Sequence, residues 1–352
     1  MISPFSEGGF AMVSMKDIAK KCGVSVATVS KALNGQKDIG EETRKRICAV
    51  AEEMGYMANS VARALKTNRS YNLGMLLVDE RRSGLGHEYF STIIEGFKAE
   101  AESHGYDITF INSHVGDQPT SYVKHCKYRG LDGVLVACVN FEDPRIRELA
   151  AAGIPLVTVD YCFEGHTAVL SDNSSGVDAL VRYAYEKGHR KIAFLHGEDS
   201  AVTRGRLAGF HHACADLGLK IPEEYIIPCV YHDPDLCEKA TWKLLHLANP
   251  PTCILFSDDF SFIGGHNAIL SSGYMLPWGI DTRKTVSAIG YDGINLARMM
   301  RLTTYTQNAY TIGKTAADRL ISRIEHPEDF LPERIVVSGE LMEGTSVHDI
   351  NI

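Results

Sequence analysis

A lysine, two hydroxyls and a small apolar pair share the helical stretch Val26–Leu33, VATVSKAL. Lys31 is the one side chain on its outer face able to donate hydrogen bonds to the O6 and N7 atoms of guanine. Val26 and Ala27 offer apolar contact, for instance to a thymine methyl. Thr28, Ser30 and the upstream Lys16 suit phosphate oxygens, which fix register without reading sequence. Such chemistry requires a helix lying in a major groove and a second helix bracing it. The preceding residues, MKDIAKKCGVS, supply the brace. Ala19 is small where two helices cross, and Gly23 provides the positive φ of a sharp turn. Val29 returns an apolar face to the same crossing, joined at helical spacing by Ile18, Val24 and Leu33. Ser25 is a good N-cap for the second helix. An ordinary surface hairpin of helices has the same spacings, and the rest of the chain argues against it.

The formal net charge is -8 over 352 residues, but its distribution is uneven. Residues 1–70 carry +4 and the remainder -12, a basic head on an acidic body that suits a polyanion at one end only. Nine cysteines with no C-x-x-C pair argue for a reducing cytoplasm and against a disulfide framework or a zinc site. No apolar run reaches the ~20 residues of a membrane helix. Residues 1–14, MISPFSEGGFAMVS, lack the pattern of a signal peptide and read as a disordered or non-native leader, with Met12 or Met15 as the start.

Gly40–Met54 predicts a third amphipathic helix with Ile47, Val50, Ala51 and Met54 turned inward, completing a small all-α head over 15–58. Asn59–Leu65 predicts a short helix, and the polar residues that follow predict a linker, so that 59–71 form a hinge. From Leu73 the pattern changes to β-type apolar runs alternating with amphipathic helices. Strands are predicted at 73–78, 107–111, 133–136, 156–159, 191–195, 225–230, 253–256 and 285–289. Strands separated by helices of this length indicate βαβ units on parallel sheets. Two such blocks predict an α/β core of two Rossmann-like lobes with a cleft at the carboxyl ends of the strands.

Several segments in order carry a resemblance: MKDIAKKCGVSVATVSKALNG, MGYMANSVARAL, IPLVTVD, YEKGHRKIAFLHG, RGRLAGF, AIGYDG and LTTYTQNAYTIGK. Together they resemble the lactose-repressor/galactose-repressor family of bacterial transcriptional regulators over nearly everything after Met15. The resemblance implies a helix-turn-helix head, a hinge helix and a periplasmic-binding-protein-like core over 72–352. It implies lobes interleaved along the chain, one from about 72–171 and 304–335, the other from about 172–303 and 336–352, with crossings near Ser171, Thr303 and Val336. It further implies a homodimer on a palindromic operator in double-stranded DNA, with Ser25, Asn34 and Asn59 joining the DNA-contacting set. Leu65 holds the position of a leucine that wedges into the minor groove, an insertion that bends the site. The chain departs from the family where Met57-Ala58 replaces a proline ahead of Asn59.

For the cleft, the resemblance implies effector contacts from Tyr89, Phe90, Asp160, Arg206, His232, Asp258, Asp292 and Gln307, with Tyr231 as the alternative to His232. Carboxylates, an amide and an arginine bond hydroxyls in pairs, and an aromatic face suits the C–H side of a sugar. Three aspartates at strand ends are costly to bury without donors, which a polyhydroxyl ligand and Arg206 supply. Each has a structural alternative: Asp258 and Asp259 as helix caps, Tyr89 and Phe90 as core aromatics. Asp258 stands where the family usually has asparagine, and Ala309 where an aromatic is common. The expected function is a repressor of carbohydrate-utilisation genes whose operator affinity is set by a sugar or similar small effector. A purine or a partner protein as effector remains an alternative, as does a stand-alone sugar-binding protein, which would need an export signal. Ser83–Gly86 is not a dinucleotide loop, no G-x-S-x-G occurs, and the fourteen histidines show no ligand spacing, so no catalytic residue, cofactor or metal site is predicted.

Overall fold

A computed structural model of the chain describes residues 13–36, 38–56, 69–78, 86–277 and 284–351. The predicted leader up to residue 12 and the predicted hinge helix with Asn59 and Leu65 lie outside the described residues. The chain divides into two compact units, up to Ser70 and from Tyr71 onward.

The first unit is three helices: α1 (Met15–Cys22), α2 (Val26–Leu33) and α3 (Glu41–Glu53). Ser14, assigned to the leader from sequence, is instead the N-cap of α1. Its backbone N–H and hydroxyl donate to Asp17 Oδ2 at 2.9 and 2.6 Å, while its hydroxyl receives the Asp17 N–H at 3.4 Å. That reciprocal pairing is a capping box, which satisfies donors that the first turn leaves open. Val13 also packs against the head, so the folded unit starts earlier than Met15. Gly23 ends α1 at φ 65°, a left-handed conformation that costs a residue with Cβ about 1 kcal/mol. Ile18, Ala19, Val29, Ala32, Ile47 and Ala51 form the buried core, with Val24, Leu33, Val50 and Met54 packed around it.

The second unit holds two six-stranded sheets. The first lobe comprises β1 (Asn72–Leu77), α4 (Glu88–Ser103), β2 (Asp107–Phe110), a small hairpin of β3 (His114–Val115) and β4 (Gln118–Pro119), α5 (Tyr122–Arg129), β5 (Gly133–Ala137), α6 (Pro144–Ala150), β6 (Leu156–Val159) and β7 (Thr167–Ser171). The second comprises α7 (Asn173–Glu186), β8 (Ile192–His196), α8 (Ala201–Asp216), β9 (Ile226–Pro228), α9 (Pro234–Leu245), β10 (Cys253–Leu255), α10 (Phe262–Ser271), β11 (Ser287–Asp292), α11 (Asn295–Met299) and β12 (Thr303–Thr306). The chain then adds α12 (Ala309–Glu325) and β13 (Arg334–Val337) to the first lobe and β14 (Glu340–Met342) to the second.

Sheet orders are β13-β7-β6-β5-β1-β2 and β14-β12-β11-β10-β8-β9, and every neighbouring pair is parallel except β12 with β14. Continuous apolar strands such as GVLVA and LVTV are buried along their whole length, as expected where helices cover both faces. The chain passes between lobes three times: at 172, at 307–308 and at 338–339. Because β12 belongs to the second sheet, the middle passage falls after Thr306, later than the crossing near Thr303 read from sequence. On the first lobe α12 lies against α4, and two glycines allow the close approach. A Cβ on Gly313 would stand 1.9 Å from the Ile93 carbonyl oxygen, and one on Gly96 2.1 Å from that of Tyr310. Ala309 is buried in the core beside α4.

Candidate functional site

The head presents α2 outward. Val26, Ala27 and Lys31 are exposed on it, whereas Thr28 and Ser30 are half-buried. Ser25 Oγ accepts the Thr28 N–H at 3.1 Å and pairs with the Thr28 hydroxyl at 2.8 Å, so both residues first serve the cap. Asn34 Nδ2 donates back to the Ser30 carbonyl at 2.5 Å. Lys16 is exposed on α1. Lys31 is already engaged: its Nζ lies 2.5 Å from Asp38 Oδ2. The ammonium hydrogen bond holds the Asp38 carboxyl below the ordinary aspartate range. Sequence reading missed Asp38 because the pairing is made across the turn into α3, with no helical spacing to announce it.

The second candidate site lies at the carboxyl ends of the parallel strands, where both lobes contribute. Asp160 follows β6. Its Oδ1 accepts the Ser171 N–H at 2.7 Å and its Oδ2 the Tyr89 hydroxyl at 3.2 Å. Arg206 projects from α8 and is buried. It donates Nε to Asn173 Oδ1 at 2.8 Å and a terminal nitrogen to the Ser257 carbonyl at 2.6 Å. Its other terminal nitrogen is 3.8 Å from Asp292 Oδ1, and the guanidinium lies 3.7 Å from the centroid of the Tyr291 ring. Asp292, at the end of β11, also accepts Gln307 Nε2 at 2.7 Å. Gln307 Oε1 is buried and has no hydrogen-bond partner among the described residues.

Electrostatics follow from this crowding. Desolvation pushes the Asp160 carboxyl upward. It pushes Asp292 up to about 7, against the opposing pull of Arg206. Tyr89 is raised well above its ordinary value, first by burial and then by the Asp160 charge. The neighbouring Asp259 is also raised by burial and by Asp292, although it accepts from Gly293, Ile294 and Thr304.

His232 enters from the loop after β9, and its imidazole stacks on Phe260 at 3.9 Å between centroids. On its other side it stacks on His87 at 4.2 Å and 17°, so the stack spans the lobes. Phe90 packs edge-on to His87 at 4.7 Å and to Tyr89 at 5.1 Å. A second bridge runs from the Asn295 N–H to Glu88 Oε1 at 2.8 Å. Tyr231, the alternative to His232, is present as well. Its hydroxyl pairs with Thr203 at 2.9 Å and its ring lies 5.2 Å from the Arg206 guanidinium.

Asp258 behaves differently from the other acids. Its oxygens accept the Ser261 N–H and hydroxyl, both at 2.7 Å, and the Ser257 hydroxyl and His232 N–H, both at 3.0 Å. Four internal donors hold it, the His232 N–H among them, so it fixes the His232 loop; the N-cap of α10 is Ser261, not Asp258 as the sequence alternative had it. Three site residues share a backbone feature that no sequence signal revealed: Asp160, His232 and Asp292 have φ of 59°, 58° and 108°. Left-handed non-glycine residues cluster at ligand sites, where surrounding structure holds them against strain. Sequence reading also passed over His87, Asn173, Phe260 and Tyr291; of these, Asn173 directly follows a predicted crossing.

Comparisons with known proteins agree with both units. Residues 14–59 match the family described as bacterial regulatory proteins, lacI family. Residues 72–337 match periplasmic binding proteins and sugar binding domain of LacI family. Over 346 residues, covering 96% of this chain and 98% of the relative, the sequence is 31% identical to the HTH-type transcriptional repressor PurR of Escherichia coli. The fold is that of the lac repressor dimer bound to operator and the anti-inducer ONPF, with TM-score 0.77, 22% identity and coverage of 96% of this chain and 99% of that one. It is also that of a transcriptional regulator CelR-cellobiose complex, with TM-score 0.69, 23% identity and coverage of 95% and 99%. A three-helix head with an exposed reading helix, a two-lobed α/β core and these matches make one statement: the chain belongs to the lacI family of bacterial regulatory proteins, as a helix-turn-helix transcriptional regulator with an effector-binding core.

Proposed function

We propose that the protein represses carbohydrate-utilisation genes as a homodimer on a palindromic operator, and that a sugar or similar polyhydroxyl ligand between the lobes sets its operator affinity. The observation that carries the ligand class is the convergence of Tyr89 and Asp160 from one lobe with Arg206, Asp292 and Gln307 at the other. Carboxylate oxygens and the unpartnered Gln307 Oε1 want donors, and a hydroxyl both donates and accepts. A ligand that binds the closed cleft better shifts the lobes' relative orientation, and linkage carries that preference to DNA binding. The ligand releases the protein from DNA. On the DNA side, Lys31 reads a guanine edge; Val26 and Ala27 supply apolar contact; and Lys16, Ser25, Thr28, Ser30 and Asn34 support the backbone. The site is a regulatory one, not a catalytic one, and the protein acts in the cytoplasm. Among the described residues no helix is long and apolar enough to cross a membrane.

A planar heterocycle such as a purine is the second reading. It is favoured by the near-parallel faces of His87, His232 and Phe260, which stack at 4.2 and 3.9 Å and which a flat ring would join by displacing one of them. A thermal-shift screen of the purified protein against sugars, sugar phosphates and purines separates the two. Each hit is then added to an operator titration at low salt, where phosphate contacts are strongest. A sugar hit that weakens operator binding supports the first reading; a purine hit with no sugar hit replaces it. Absence of any DNA binding would overturn the whole proposal.

A further inference from the structure

The guanidinium of Arg206 reaches each of the three passages between the lobes by a different route. Its Nε donates to Asn173 Oδ1 at 2.8 Å, and Asn173 directly follows the passage at 172. Asp292, 3.8 Å from a terminal nitrogen, accepts at 2.7 Å from Gln307, which stands in the second passage. The third route runs through two tyrosines. The guanidinium lies 3.7 Å from the Tyr291 ring, that ring is 5.3 Å from the ring of Tyr305, and the Tyr305 hydroxyl accepts the Gly339 N–H at 2.9 Å. Both rings are buried, and the Tyr291 hydroxyl has no hydrogen-bond partner among the described residues. Packing against its neighbours, not a hydrogen bond, therefore sets where the Tyr291 ring lies. The edge of the Tyr305 ring is seated against two glycines: a Cβ on Gly176 would stand 2.8 Å from it and one on Gly339 2.7 Å. Contacts packed this closely pass a displacement on instead of absorbing it.

We infer that Tyr305 is a positioning residue, which couples the placement of the Arg206 guanidinium to the passage at 338–339 and so to the angle between the lobes. When the guanidinium shifts, the Tyr291 ring beneath it shifts as well. Tyr305 follows, and its hydroxyl either carries the Gly339 N–H along or lets it go. That hydroxyl is the point at which the route can be cut, because a single hydrogen bond joins the pair of rings to the passage. The consequence for operator affinity rests on the reading of Arg206 as an effector contact.

The test changes one end of the route and reads the other, following backbone hydrogen exchange at Gly339 in the full-length protein. Tyr305→Phe removes only the hydroxyl and is expected to speed that exchange by about fivefold. Arg206→Lys keeps the charge but loses the flat face on Tyr291 and the Nε donor to Asn173. It is expected to speed Gly339 exchange in the wild-type background and to add nothing in Tyr305→Phe, a non-additivity that two independent structural losses do not give. An unchanged Gly339 amide in Arg206→Lys, or equal fold-increases in both backgrounds, overturns the proposal. So does a rise of the same size at the Ile350 amide, which donates to the Lys187 carbonyl at 2.8 Å and reports general loosening. Should Arg206→Lys fail to fold, Asn173→Ala, which frees the guanidinium at its Nε, takes its place. No readout uses a ligand, so an empty ligand screen would remove the polyhydroxyl reading and leave this coupling standing.

Discussion

Lys31 shows how little of a residue's working state its position in a motif reveals. Its place on α2 marks it as a base reader, but the ammonium rests against Asp38 at 2.5 Å. Reading a guanine therefore means exchanging, or sharing, a carboxylate partner that is itself open to water, where such pairs contribute little. The exchange is consequently inexpensive, and the specific contact should survive it. Lys31→Ala is expected to weaken operator binding by about 1–3 kcal/mol and relax preference at one base pair, read in titrations against operator variants. Equal loss on operator and random DNA would instead make Lys31 a phosphate contact. Asp258 teaches the complementary lesson. Its type and strand-end position matched a ligand contact, yet Ser257, Ser261 and the His232 N–H surround it. The number of backbone donors reaching a side chain depends on loop path, which residue identity does not encode.

At the scale of elements, much was legible because the periodicities are strong. Buried strands such as 133–137 and 156–159 fall within a residue of their predicted bounds. The elements missed include the seven-residue α6 and the hairpin at 114–119, and also everything from α11 onward, the 17-residue α12 among them. β7 was missed for another reason, since three of its five residues are small or hydroxylic and its apolar run never reaches the length that marks a strand. Contacts between elements were less legible still. The pairing of α4 with α12 depends on Gly96 and Gly313, each seated against a carbonyl of the opposite helix. Gly313→Ala would place a methyl group 1.9 Å from the Ile93 carbonyl oxygen. The helices must separate to admit it, so the variant is expected to lose about 1–3 kcal/mol of stability, measured by denaturant unfolding. An unchanged midpoint would mean that α4 and α12 slide apart without cost.

Across the whole molecule, the acidic site between lobes ties stability to pH. Asp292 titrates at about 7 when folded and near 4 when unfolded. Between those values the folded state holds a proton that the unfolded chain has released, so this contribution is complete below about pH 4 and is lost as pH rises through 7. Wild-type stability should therefore fall relative to Asp292→Asn across that window, by up to about 1.4 kcal/mol per pH unit, and run parallel above it. Urea titrations at several pH values check this; parallel curves throughout would show that Arg206 keeps Asp292 charged. The three passages between lobes, at 172, 307–308 and 338–339, have a consequence of another kind. Each lobe is completed by a segment that arrives only after the other has been largely made, so neither can be copied, deleted or exchanged as one stretch of gene. A protease nick at a single passage leaves two fragments that still hold each other through the sheets they complete. Evolution in such a chain has to proceed by residue replacement inside the interleaved pair, whereas the head, a contiguous unit at one end, can be traded whole.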